Sequence, residues 1–201
     1  MKRGMLHPIG RHLIPLLAIS LVACHTSRTG PPLEVVKEID LDRYLGRWFE
    51  VASFPQRFQR GCVATTADYS RLEDGRIRVV NECRDGSFDG ALRRVEGIAW
   101  VADPAESQAK LEVSFFWPFR GDYWVIDLDP EYQTAVVGHP SREYLWILSR
   151  TPAIDPPVFE ALLRRVEALG FDASRLVLTP QPTAPDAPAG NGDRTQRGRS
   201  S

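Results

Sequence analysis

Through the middle of the chain, apolar and polar residues alternate with a period of two. Leu111, Val113 and Phe115 are separated by Glu112 and Ser114, and Ile77 and Val79 alternate with Arg76 and Arg78. This is the pattern of strands with one buried and one solvated face. Eight runs of this kind are predicted, at Arg47–Ser53, Cys62–Ser70, Arg76–Cys83, Leu92–Ala102, Lys110–Phe115, Asp122–Leu128, Thr134–Gly138 and Glu143–Arg150. Turn residues punctuate them: Glu73-Asp74-Gly75, Asp85-Gly86, Asp103-Pro104, Arg120-Gly121, Asp129-Pro130 and His139-Pro140-Ser141. Eight short strands joined by tight turns describe an antiparallel meander, and closing it into an up-and-down β-barrel removes its exposed edges. The expected fold class is all-β.

After Arg150 the period changes. Val158, Phe159, Leu162, Leu163, Val166 and Leu169 fall on one helical face, with Glu160, Arg164, Arg165 and Glu167 opposite. Asp155 is placed to cap this helix, Pro156 suits its first turn, and Gly170 suits its end. The prediction is one C-terminal α-helix docked on the barrel by its apolar side.

The two ends differ from the middle. Lys2, Arg3 and Arg11 precede an apolar run from Leu13 to Ala23. A helix of that length rises only about 16 Å, against roughly 30 Å of hydrocarbon core, so residues 1–23 read as a signal peptide. The run ends in Leu21-Val22-Ala23-Cys24, which resembles the lipobox of bacterial lipoproteins, where the Cys takes a diacylglycerol on sulfur and an acyl chain such as palmitate on its new amino group. A plain signal peptide followed by an unrelated Cys is the other reading. Residues 24–38 are expected to be a lipidated tether. The segment 181–201 has neither an aromatic nor a branched aliphatic residue and is expected to be a disordered tail. That leaves a domain at 39–180.

A formal net charge of −1 over 201 residues gives no electrostatic case for a nucleic-acid partner. Of three cysteines, assigning Cys24 to lipid leaves Cys62 and Cys83. In an oxidising envelope this pair suggests a disulfide; two unpaired buried thiols are the alternative. A hairpin through Leu72–Gly75 sets Cys62 opposite Asp85 and Cys83 diagonal to it, so the bond requires a local irregularity such as a bulge. Of four histidines, only His139 falls within the domain. No zinc cluster, Cys–His pair, nucleophile elbow or phosphate loop can be assembled, so neither an enzyme, a metal site nor a cofactor is expected.

Three motifs in order carry a family resemblance. Leu45-Gly46-Arg47-Trp48-Phe49-Glu50 resembles the Gly-x-Trp signature that opens the first strand of lipocalins. Asp127-Leu128-Asp129-Pro130-Glu131-Tyr132 and Leu145-Trp146-Ile147-Leu148-Ser149-Arg150 resemble the family's second and third motifs. Behind a lipobox, the likeness is greatest to bacterial outer-membrane lipoprotein lipocalins. It implies that Gly46, Trp48 and Arg150 close one end of the barrel, with the guanidinium across the indole. It also implies a fatty acid or lysophospholipid ligand, a place in the outer membrane on its periplasmic face, and a role in membrane maintenance. Residues expected to face the ligand are Val79, Ile98, Trp100, Val113, Phe115, Tyr123 and Val125, with Phe58 as a lid. Arg57 or Arg60 would meet a headgroup, unless their loop is simply solvated. A different reading is an interaction protein whose barrel is filled by its own side chains and recruits a partner. Monomer and homodimer are both open.

Overall fold

A computed structural model describes residues 31–182. The expected signal peptide, Cys24 and the tail from 183 onward lie outside the described residues. The elements are α1 (Leu41–Tyr44), β1 (Gly46–Ser53), β2 (Cys62–Arg71), β3 (Ile77–Asp85), β4 (Leu92–Val101), β5 (Lys110–Phe116), β6 (Phe119–Leu128), β7 (Thr134–Gly138), β8 (Leu145–Ser149), α2 (Pro156–Ala168) and β9 (Val177–Leu178). Strands β1 to β8 pair with their neighbours in sequence, all antiparallel, and β1 pairs with both β8 and β2, which closes the barrel. The expected eight-stranded barrel with one long helix is the observed architecture.

Three local expectations change. Arg120 and Gly121 lie inside β6, and the hairpin turns three residues earlier, at Trp117-Pro118. Asp155 does sit at the start of α2, but it caps with its carbonyl, which accepts from Val158 N and Phe159 N, while its side chain makes no capping bond. Residues 31–38 are not a free tether: Leu33 is buried under the helix side and Val36 N donates to Val125 O.

Two apolar cores result from the alternation. Inside the lower barrel, Tyr44, Trp48, Ile77, Ala99, Leu111, Val125 and Val137 pack together. Outside it, Leu162 and Val166 of α2 cover Val51, Phe54, Ile126 and Ile147, and burying each of those helix side chains contributes roughly 1.5–3 kcal/mol. The helix ends with Gly170 N donating to Glu167 O and Phe171 N to Val166 O, the paired arrangement that satisfies its last carbonyls and brings Phe171 onto Val166. Arg165 of α2 reaches Asp127 at 3.3 Å.

Strand β1 leaves β2 after Phe49–Thr66. Above that point the chain's own C-terminal segment takes the place of β2: β9 pairs with Ala52 and Ser53, and Thr179 N donates to Val51 O. Pro180 O accepts from Ala64 N, and the Gln181 amide donates both to Glu50 O on β1 and to Thr65 O on β2. Gln181, expected to open the tail, is a stitch in the barrel wall.

Candidate ligand-binding site

One end of the barrel is plugged. Trp48 is fully buried, and its indole N–H donates to Tyr44 O at 2.8 Å. The Arg150 guanidinium lies 3.8 Å from the centre of the indole. It donates to the carbonyls of Arg47, Arg43 and Tyr132 at 2.9, 2.7 and 3.2 Å. Gly46 opens β1 with φ +92° next to Arg150. All three residues stand at this end of the barrel.

Above this plug the barrel is hollow. A cavity of about 870 Å³ opens at the other end, within the range of roughly 300–1,000 Å³ that small-molecule sites occupy. The interior is not filled by its own side chains, which removes the structural basis for the filled-barrel reading.

The cavity floor is polar. Tyr123 Oη lies 2.7 Å from Tyr44 Oη and 2.8 Å from Tyr69 Oη. Burial, before any other cause, pushes all three phenols above their ordinary titration range, so they stay neutral. Three hydroxyl protons share two hydrogen bonds, which leaves one proton over, and Tyr69 and Tyr123 border the cavity.

The walls are mostly apolar: Ala67, Val79, Val95, Val113, Phe115 and Leu148 face inward. Of the residues expected to line the cavity, Val79, Val113, Phe115, Tyr123 and Phe58 do so. Val125 points inward but lies in the lower core, below the cavity. Ile98 and Trp100 are on the outside of β4, since Gly97 and Ala99 between and beside them are the buried positions and Ile98 pairs with Arg78 of the outer face. The inward residues there are Arg93, Val95 and Gly97. Gly97 has no room for a side chain, because a Cβ would stand 2.7 Å from the Phe115 ring.

One buried polar network interrupts the wall. The Glu50 carboxylate accepts from Ser53 Oγ at 2.9 Å, Thr179 Oγ1 at 2.6 Å and Gln59 Nε2 at 2.7 Å. Gln59 Oε1 accepts in turn from the Trp146 indole at 3.2 Å. The network ties the loop between β1 and β2 down over the cavity. Arg93 adds a second tie by donating to Phe58 O and Arg60 O at 2.8 and 3.0 Å, with Asp85 3.5 Å away. Sequence reasoning missed these latches, because they are completed by partners distant in the chain, Thr179 for Glu50, Trp146 for Gln59 and the Phe58 and Arg60 carbonyls for Arg93. Arg57 and Arg60 are exposed and do not border the cavity; the cations at its mouth are Arg93, Arg94 and Arg120. Arg94 is paired with Glu82, and Arg120 with Glu112 at 3.2 Å. His139 also borders the mouth, 3.5 Å from Asp122.

Cys62 and Cys83 are joined by a disulfide at the rim, with their Cα atoms 5.4 Å apart. Cys62 does pair with Asp85, so Cys83 is diagonal to it, and the required irregularity is present: the β2–β3 register shifts between Val63 and Thr66. Ala64 within that shift adopts φ +51°. Among the described residues no group of three or more potential ligands is arranged to hold a metal ion.

A family model described as a lipocalin-like domain matches residues 39–181. The chain belongs to the lipocalin family. This lipocalin is 42% identical over 175 residues to the outer membrane lipoprotein Blc of Escherichia coli, an alignment that covers 85% of this chain and 98% of that protein. It is 44% identical over 161 residues to temperature-induced lipocalin-1 of Arabidopsis thaliana, covering 76% and 85% of the two chains. It is 33% identical over 165 residues to mouse apolipoprotein D, covering 78% and 83%. Among solved structures, insecticyanin from the tobacco hornworm Manduca sexta superposes with a TM-score of 0.62 at 22% identity, over 77% of this chain and 87% of that one, and this shared barrel is a likeness of fold. Lipocalins are in general binding and transport proteins, and this one carries the family's plug and hollow barrel.

Proposed function

We propose that this lipocalin binds fatty acids or lysophospholipids in the bacterial envelope, as a protein anchored to the outer membrane through acyl chains on Cys24. The observation that carries the reading is the cavity itself: about 870 Å³, closed below by Trp48 and Arg150, walled by Val79, Val95, Val113, Phe115 and Leu148, with the hydrogen-bonded Glu50 carboxylate set into the wall and the arginines gathered at the mouth. Such a vessel buries an acyl chain at roughly 25 cal/mol per Å² of apolar surface, less ordering costs, and leaves a headgroup near Arg93, Arg94 and Arg120. The relatives named outer membrane lipoprotein Blc support the anchor and the location, and storage or transport of lipid for membrane maintenance follows from a site that holds one chain reversibly.

The test is displacement. Delipidated protein takes up a fluorescent fatty-acid analogue with a Kd of about micromolar, and lysophospholipid competes for the same site. Mass spectrometry of the protein as purified identifies the chain it carries. Failure of both lipids to compete, with the cavity intact, would refute the reading. For the anchor, Cys24→Ala abolishes metabolic labelling with palmitate; a mutant that still labels contradicts the assignment.

A further inference from the structure

We infer that the open end of the barrel is the face applied to the lipid bilayer, with the β5–β6 hairpin seated in the membrane interface. The inference rests on the acylation of Cys24 proposed above. Two independent observations carry it. The first is the hairpin: Phe116, Trp117 and Phe119 are 70, 82 and 76% exposed, an unusual concentration of large aromatic surface at the tip of one turn. Contiguous apolar surface of this kind marks an interaction site, and an indole, apolar in body with one N–H donor, is suited to the boundary between headgroups and acyl chains. Phe116 and Phe119 also border the cavity mouth, so the surface that would enter the lipid is continuous with the route into the pocket.

The second observation is where the N-terminal segment leaves the barrel. Arg142, in the β7–β8 loop at the open end, donates to Pro31 O at 2.7 Å, and from there the chain runs down past Val36, bonded to Val125, to the closed end at Asp40. Pro31 is only seven positions beyond Cys24. Fully extended, that stretch spans at most about 25 Å. An anchor on Cys24 therefore keeps the open end, rather than the Trp48 plug, next to the membrane. With both constraints met, a lipid enters the cavity from the bilayer without crossing water.

The experiment uses the processed chain, residues 24–201, with Cys24→Ser so that no acyl anchor contributes, and vesicles of phosphatidylethanolamine and phosphatidylglycerol. The protein partitions onto the vesicles, and brominated acyl chains quench part of its tryptophan fluorescence. Trp117→Phe keeps the partitioning and loses that quenching. Trp117→Asp weakens partitioning at least tenfold while displacement of the fatty-acid analogue in solution is unchanged, because Trp117 does not border the cavity. Partitioning that is insensitive to Trp117→Asp overturns the inference. So does a protein that ignores vesicles but forms a dimer in sedimentation that Trp117→Asp disrupts, which would assign the hairpin to a second copy. Normal vesicle binding without fatty-acid displacement would instead count against the ligand reading and leave the orientation standing.

Discussion

Arg150 covers the indole of Trp48 from 3.8 Å while its nitrogens gather carbonyls from Arg43, Arg47 and Tyr132. One side chain thus fastens α1, β1 and the β6–β7 turn to the end of β8, and does so with a planar fork that an ammonium cannot imitate.

Arg150→Ala removes the cation–π contact and four charge-assisted hydrogen bonds at once, the fourth to Tyr44 O at 3.3 Å. The expected loss is about 3 kcal/mol, a fall in Tm of roughly 6–12 °C for a domain of this size. Arg150→Lys restores less than half of it. Thermal and urea unfolding measure both. Equal stability of Lys and Arg at this position would mean that only the charge matters.

The three phenols at the cavity floor make a pH signature. Their titration is raised in the folded state, chiefly by burial, whereas in the unfolded chain each ionises near pH 10. Stability from this source is complete below about pH 10 and is lost as the pH rises above it, by about 1.4 kcal/mol per pH unit for each phenol. Tyr123→Phe lowers that slope by one proton. At neutral pH it also costs about 2 kcal/mol, since it leaves the Tyr44 and Tyr69 hydroxyls without partners. Urea titrations between about pH 8 and 11 resolve both effects, and an unchanged slope in the variant would contradict the shared network.

Direction of side chains along β4 decides which substitutions touch the ligand. Val95 faces the cavity and Ile98 faces out. Val95→Trp fills the pocket and reduces affinity for the fatty-acid analogue at least tenfold, with little effect from Ile98→Ala. Fluorescence displacement compares them directly; the reverse order would restore the register first expected from the sequence.

Opening the rim disulfide should be felt in stability. Cys62→Ser with Cys83→Ser releases a loop of 21 residues, worth about 3 kcal/mol in the chain-entropy picture. Chemical denaturation of the double variant beside the parent measures the difference. Equal midpoints would show that the bulge at Ala64 holds the β2–β3 pairing by itself.

The eight strands were legible because most inner positions carry apolar residues and most outer ones carry charge. Strand β4 breaks that rule. Its outer face has Leu92, Ile98 and Trp100, and its inner face has Arg93, which ties down the β1–β2 loop, and Gly97, where Phe115 from β5 already occupies the space inside. A reading that sends the bulky apolar residues inward is then wrong by one position throughout. The plug was readable from Gly46, Trp48 and Arg150 through family motifs. The latches at Glu50, Gln59 and Arg93 were not, since their meaning lies in contacts across the cavity mouth.

The stitch at Gln181 has a bearing on the order in which the vessel becomes complete. Thr179, Pro180 and Gln181 supply the bonds that bridge β1 to β2 above Phe49. Until they dock, the barrel has a slot in its side. A barrel built of β1 through β8 alone is thus a leaky container, and cargo is retained only once the segment after β9 has been laid across the seam.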